Sequence, residues 1–337
     1  MNNDLTPTEH FAIVDEILGD ASTRYFGSGY RRVAQRVFDV RVDTRNRCAG
    51  ASAAVTYPSS WSTKTDRELT PHLSSIDGFV IAAQLVETYL REAYGLDDLS
   101  VRECWIRRCT LKSGQAPTLE LDAIPVSLAL LETKPDPSSM CGYYSELRIK
   151  VGSLTLELLL DHPLFVQRIV RTSFPDVECC LGRADQHYLA VGYKHTRVGV
   201  SDLFMNNSAD RARVRFDIDY DATRIPDGLS SDYFPFLSIP DALVGTAQLA
   251  QALLYRYDDI TRATSRNLWM RKFTVDIPRP AVPTPGFAVD ICITQANVLP
   301  IGDRRWRAAK FNVTLPSMTA EFSLAHELPE PALSIAV

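Results

Sequence analysis

The chain has 337 residues, with 36 Lys and Arg against 41 Asp and Glu for a formal charge of −5; 45% of its residues are hydrophobic and 23% charged. Such a composition belongs to a folded protein of roughly two domains at about 150 residues each, which excludes fibrous, disordered and disulfide-stapled miniature folds. The mildly acidic balance offers no counterion release on a phosphate backbone, so no nucleic-acid partner is expected.

In chain order, residues 6–18 read as a short leading helix within an N-terminal extension, 1–20. Residues 34–42 and 51–57 alternate or run apolar with β-branched side chains, as strands do. Residues 74–94 carry Ile76, Val80, Ala83, Leu85, Val86 and Leu90 at helical spacing. Strand-like runs return at 105–111, 118–131, 143–151 and 153–160, with Gly152 turning between the last two. Together these make a first module, 21–163. A linker, 164–185, leads to a second module, 186–330, with a strand at 211–220, a helix at 238–257 and strands at 269–275, 287–298, 306–315 and 317–324; residues 331–337 form a tail.

The second module copies the first. Residues 73–85 lie over 237–249 with seven identities in thirteen positions at an offset of 164, where average residue usage gives about one. At that offset Trp105, Arg107 and Thr110 meet Trp269, Arg271 and Thr274, and His162 meets His326; Gly29-Tyr30 meets Gly192-Tyr193 at 163. One long apolar helix followed by a meander is best buried when the sheet curls around it. The expected fold class is therefore α+β, a tandem (double) hotdog in which two antiparallel sheets each wrap around a central helix. The modules are expected to pair, because pairing covers an open sheet edge.

The start of the chain lacks the basic and apolar regions of a secretory signal. The most apolar helical run, 79–90, contains Gln84 and Glu87 and falls well short of the roughly 20 residues that span a bilayer. A cytoplasmic protein without membrane contact is expected. Seven cysteines, at 48, 104, 109, 141, 179, 180 and 292, show no zinc spacing and read as reduced thiols, so no metal and no cofactor are expected.

Asp77 and Asp241 each stand three residues after a serine, Ser74 and Ser238, at the entrance of the long helix. Ser-x-x-Asp before an apolar run is a capping box. A carboxylate at a half-buried helix N-terminus can also serve as a general acid or base. His72 breaks the symmetry, since its counterpart is Phe236. An imidazole in one module only is a candidate catalytic group, or else a capping histidine after Pro71. Ser75 and Gly78, at the helix entrance, can offer N–H groups to a thioester carbonyl. Arg107 and Arg271 could grip a phosphate or carboxylate bidentately, or hold an interface between the modules. His162 and His326 are equivalent and read as structural, and His187 and His195 as satisfied polar residues. The glycine-bearing run that ends in Tyr30, a candidate substrate contact, lacks the strand before and helix after that a phosphate loop needs. There is no Gly-x-Ser-x-Gly, which leaves an α/β-hydrolase unsupported.

Two strings, Arg24-Tyr25-Phe26-Gly27-Ser28-Gly29-Tyr30 and Pro71-His72-Leu73-Ser74-Ser75-Ile76-Asp77, resemble the avirulence D family of bacterial proteins, and the likeness runs over most of the chain. The resemblance implies an acyltransferase or condensing enzyme of secondary metabolism that joins a β-ketoacyl thioester to a pentulose such as xylulose, giving a syringolide-like butenolide. The γ-butyrolactone (A-factor) synthases look like distant cousins with tandem hotdog modules and dihydroxyacetone phosphate as acceptor. Their helix entry begins His-Asp-Pro, whereas here His72 and Asp77 stand five residues apart with no proline between. His72 and Asp77 are thus carried over as motif members without assigned roles.

On this reading the partners are a β-ketoacyl thioester on acyl carrier protein or coenzyme A and a small sugar acceptor, and the double module can pair again as a homodimer. His72 would take the proton of the attacking sugar hydroxyl, with Asp77 orienting it or protonating later, and ring closure by the activated β-keto carbon would follow. Asp241 would lie with Ser75, Gly78, Arg107, Arg271 and Tyr30 around the substrate. A β-hydroxyacyl thioester dehydratase or thioesterase on the same scaffold is the first alternative, and a non-catalytic acyl-binding or interaction protein the second.

Overall fold

The computed structural model describes residues 9–64, 69–221, 223, 226–266 and 268–329. The chain opens with β1 (Glu9–Ile13) and α1 (Asp15–Leu18), followed by β2 (Ala34–Asp43), β3 (Cys48–Thr56), α2 (Ser75–Tyr94) and α3 (Asp98–Arg102). Next come β4 (Trp105–Lys112), β5 (Ile124–Pro135), β6 (Tyr143–Val151), β7 (Leu154–His162), β8 (Arg171–Asp176) and α4 (Glu178–Leu181). β9 (Arg197–Met205), β10 (Arg211–Asp219), α5 (Ile239–Tyr257), β11 (Leu268–Asp276), β12 (Phe287–Ile301), β13 (Arg304–Leu315) and β14 (Met318–Glu327) complete it.

These strands form one antiparallel sheet in the order β1-β9-β10-β12-β13-β14-β11-β4-β7-β6-β5-β3-β2-β8. The order is a palindrome about the β11–β4 seam. There Thr274 lies opposite Thr110, its own copy in the repeat, and the two hydroxyls are 3.2 Å apart. A pseudo-twofold axis therefore passes through this pair. Each half of the sheet curls around its own helix, giving a double hotdog.

The helices are central because apolar residues fill most of the circumference of each, and the narrow polar stripe of α2, Gln84, Glu87, Thr88 and Arg91, is itself hydrogen-bonded. α2 is buried along nearly its whole length and packs against β2, β3, β5, β6 and β7, while α5 packs against β9, β10 and α2. Both start with a complete capping box, from Ser74 and Asp77 and from Ser238 and Asp241. Each such cap is worth about 1 kcal/mol. A Cβ on Gly78 would stand 2.4 Å from Leu154 Cδ1, so the glycine lets α2 lie close on β7.

Two parts of the chain differ from expectation. Residues 6–8 lie outside the described residues; from Glu9 the expected leading helix is a strand, β1, and only then the short α1. The expected linker holds β8 and α4, which copy β1 and α1: Leu181-Gly182 repeats Leu18-Gly19, and the two glycines share positive φ, 84° and 76°. The first strand of each unit joins its sibling's sheet, β1 on β9 and β8 on β2. An edge strand left with unpaired N–H and C=O groups gains a full ladder by this exchange. Among the described residues no helix is long and apolar enough to cross a membrane.

Candidate functional site

Asp77 is fully buried at the entrance of α2. Its Oδ2 accepts from Ser74 Oγ at 2.6 Å, from Tyr25 OH at 3.2 Å and from the Tyr57 hydroxyl, and its Oδ1 accepts from Gln35 Nε2 at 2.6 Å. Tyr57 OH also lies 2.8 Å from the carbonyl oxygen of His72, and Tyr25 OH 2.5 Å from Ser74 Oγ. Burial and the neighbouring Asp77 raise both phenols above their ordinary range, so each stays a protonated donor. The other half completes the cluster. Lys194 donates to Gln35 Oε1 at 2.9 Å and to Val33 O at 2.6 Å, and Tyr193 OH lies 3.3 Å from Gln35 Nε2. Burial pulls the Lys194 ammonium down to about 8, with Asp77 opposing.

The equivalent place in the second half has fewer donors. Asp241 Oδ2 accepts from Ser238 Oγ at 2.6 Å, Ser238 N at 3.1 Å and Tyr188 OH at 3.2 Å. Val198 stands where Gln35 stands in the first half, and the Tyr220 hydroxyl donates to Phe236 O at 2.8 Å. Burial, opposed by the bonds from Ser238 and Tyr188, pushes Asp241 up to about 6. Aromatic rings close this end: Phe236 packs 5.2 Å from Trp105 and 5.4 Å from Tyr188, and Trp105 also meets Tyr233.

The first half opens instead onto a cavity of about 770 Å³. Tyr25, Tyr57, His72, Ser74 and Ser75 form one wall, and Leu243, Phe273, Phe322 and Leu324, all buried, form an apolar wall contributed by the second half. The His72 ring packs 5.2 Å from Trp269, where the second half has the filled Phe236–Trp105 pair. One long apolar pocket with a few polar groups converging at a helix N-terminus can seat an acyl chain and hold its carbonyl.

His72 and Ser75 face the cavity, and Ser75 Oγ is 3.4 Å from Met270 Sδ. The structure does not join His72 to Asp77: its Nδ1 faces Thr70 O at 3.3 Å, and Asp77 is occupied by Ser74, Gln35 and the two phenols, because α2 points its N3 side chain back into its own cap. Gly78 cannot supply an oxyanion donor, since its N–H bonds Ser74 O at 2.9 Å. Asp77 N–H is taken by Ser74 Oγ and Ser74 N–H by Asp77 Oδ2. Of the N–H groups that a helix start leaves over, those of Ser75 and Ile76 remain among the described residues.

The other expected contacts lie off the cavity wall, except Arg271. The Arg107 guanidinium is committed to Asp161 at 2.8 Å and Asp136 at 3.1 Å within its own half, so the side chain neither bridges the modules nor grips a ligand; only its carbonyl oxygen crosses, accepting from Ile277 N–H at 2.7 Å. Tyr30 is buried against its copy Tyr193, rings 6.3 Å apart, and reaches Thr196 O at 3.4 Å. Asp241 is buried and bonded by Tyr188, on whose ring Phe236 packs. Arg271 is exposed on the cavity rim and bonds Gly114 O at 3.0 Å.

Sequence reasoning missed Tyr57, Gln35, Tyr193 and Lys194, and quoted Tyr25 without a role. Extending the self-comparison at offset 163 pairs Tyr25 with Tyr188 and Tyr57 with Tyr220, and exposes the Gln35-to-Val198 difference. Nothing local marks Lys194 as a neighbour of Gln35, since that contact spans the pseudo-twofold.

Residues 9–329 match a family model described as Pseudomonas avirulence D protein (AvrD). A search of curated proteins gave no match. Among solved structures, the tesB protein of Mycobacterium avium subs paratuberculosis is 10% identical, with 84% of this chain and 94% of that chain covered and a TM-score of 0.40. An acyl-CoA thioesterase II from Mycobacterium marinum is 8% identical, with 88% and 96% covered and a TM-score of 0.36. A 12:0-ACP thioesterase from Umbellularia californica is 11% identical, with 90% and 99% covered and a TM-score of 0.32. Scores this low leave the fold to rest on the strand order and the wrapped helices described above.

Proposed function

Because the chain belongs to the avirulence D family, we propose that it is an enzyme acting on acyl thioesters, which condenses a β-ketoacyl thioester with a pentulose or similar hydroxyketone. The observation that carries this reading is the cavity: an apolar wall from one half faces a helix N-terminus, an imidazole and two phenols from the other. The acyl tail lies along Leu243, Phe273, Phe322 and Leu324. The thioester carbonyl oxygen sits at the free N–H groups of Ser75 and Ile76, where the helix dipole favours developing negative charge.

Among the described residues His72 is the one imidazole on the wall. It takes the proton of the acceptor hydroxyl as that oxygen bonds to the acyl carbon. The carbon–sulfur bond then breaks, and the thiolate of coenzyme A or of a carrier protein leaves with the proton returned by His72. Ring closure follows when the carbon between the two carbonyls gives up a proton and attacks the acceptor ketone, whose oxygen takes up a proton to become a hydroxyl; loss of that hydroxyl as water, with the second proton of the same carbon, leaves the ring double bond. Asp77 is a positioning residue in this scheme. It holds the Tyr25 and Tyr57 hydroxyls at the helix entrance, and through Tyr57 it touches the backbone of His72.

Replacing His72 by Gln tests the assignment with a β-ketoacyl thioester and a pentulose, products being read by mass. The expected loss is about 10²- to 10⁴-fold in turnover. An unchanged rate would remove His72 from the mechanism. Free acid as the sole product would convert the reading to a thioesterase, and loss of water from a hydroxyacyl thioester to a dehydratase.

A further inference from the structure

The apolar end of the cavity stops at a definite rung of the sheet. β11 and β14 turn successive pairs of side chains toward the core: Met270 opposite Leu324, Phe273 opposite Phe322, and Val275 opposite Ala320. The first two pairs line the cavity, whereas Val275 and Ala320, buried one rung further in, do not. The Met270 rung stands at the thioester end, since Met270 Sδ is 3.4 Å from Ser75 Oγ. Along β14 the next side chain on the same face, Phe322, follows about 7 Å on. A tail that starts at Ser75 therefore meets Phe322 and Phe273 at the second rung.

The rings at that rung are backed. Phe322 stacks on Phe311 with ring centres 4.9 Å apart and planes 12° from parallel, and Phe273 leans on Phe322 at 6.0 Å. Phe311 is fully buried, lies opposite Phe322 on β13 and takes no part in the cavity wall. Close-packed rings that hold one another leave Phe322 no room to swing aside.

The first half fills the same rungs with smaller groups. There Cys109 lies opposite Leu158, and Leu158 opposite Leu147. At the offset of 164 these are the copies of Phe273, Phe322 and Phe311. On the helix the change runs the other way, because Leu243 on the cavity wall is the copy of Phe79. Either set of side chains packs a core, since volume lost on one side is regained on the other. Beside an open cavity the two sets differ: trimming the helix side makes a slot along α5, and three rings on the sheet side close its inner end.

We infer that Phe322, backed by Phe311 and flanked by Phe273, is the stop that sets the longest acyl tail the cavity takes. This rests on the reading of the cavity as the seat of an acyl thioester. Each methylene that finds apolar surface raises affinity about fourfold. One that meets a fixed ring must fold back toward the mouth and gains nothing. An acyl chain of membrane length extends about 15 Å, half the hydrocarbon thickness of a bilayer, and so overruns a slot one rung deep.

The test is calorimetric binding to the full chain of S-alkyl pantetheines, butyl to hexadecyl, whose thioether has no carbonyl to react. Parent affinity is expected to rise about fourfold per methylene and to stop rising well before hexadecyl. Phe322→Leu, which installs the residue of the other half, should carry the rise to longer chains, so that these gain at least about tenfold while butyl is unchanged. Phe273→Cys, again the residue of the other half, should do the same and decides the matter if Phe322→Leu does not fold. Leu243→Phe should halt the rise at shorter chains. An unmoved limit in the first two variants would overturn the inference, and so would an equal loss at every length, which is what a purely structural role produces. A rise that continues to hexadecyl in the parent would overturn it as well. A limit that moves as expected, with no product from a β-ketoacyl thioester and a pentulose, would support the stop and overturn the condensation. Product formed with the limit unmoved would do the reverse.

Discussion

Asp241→Asn should stabilise the protein at neutral pH and leave it unchanged near pH 4. Burial raises the Asp241 carboxyl from 3.8 to about 6 against the pull of Ser238 and Tyr188. Between those two values the folded state binds more protons than the unfolded state, so stability declines as pH climbs from about 4 to about 6 and is level above. The difference is worth about 3 kcal/mol. Asparagine keeps an oxygen at the Oδ2 position to accept from Ser238 N–H, Ser238 Oγ and Tyr188 OH, with no charge to bury. The variant should therefore exceed the parent by about 2 to 3 kcal/mol at pH 7.5, read from urea unfolding with linear extrapolation, and match it at pH 4. A variant weaker than the parent by the same amount at both pH values would refute the reasoning. It would mean that the helix N-terminus and cap hold the carboxylate ionised in spite of its burial.

Gly78→Ala brings a Cβ within 2.4 Å of Leu154 Cδ1, so a loss of about 1 to 3 kcal/mol is expected. Thermal unfolding of the variant alone and combined with Leu154→Val should show partial recovery in the pair. Burial pulls Lys194 down to about 8, so the folded state binds fewer protons than the unfolded state above that value. Parent stability should then rise from about pH 8 toward the ordinary lysine range, and Lys194→Met should lack that rise in parallel urea titrations. Phe236→Ala removes a ring packed on Trp105 and Tyr188 and should cost about 3 to 5 kcal/mol in urea unfolding. At a temperature where the variant is still folded, its condensation rate should match the parent's, because the closed end takes no substrate.

The duplication was legible because it is written in identities at a constant offset. With it came the double hotdog class, since an apolar rod such as 76–90 can only be buried by wrapping. Ser74 and Ser238 marked both helix starts through a pattern three residues long, which is local physics. His72 stood out by the same comparison, since its partner position holds Phe236.

Tertiary structure alone decided what those residues touch. The exchange of β1 and β8 between the halves depends on which edge is free, and no local periodicity encodes that. The same holds for Lys194 reaching Gln35 beside Asp77, and for Arg262 meeting the carbonyl next to Arg24: both contacts join residues more than 150 apart in the chain. Two nearly identical helix entrances thus acquired different chemistry. One opens on a cavity and the other is plugged by Phe236 and Trp105, because packing, unlike propensity, is settled by what arrives from the far end of the chain.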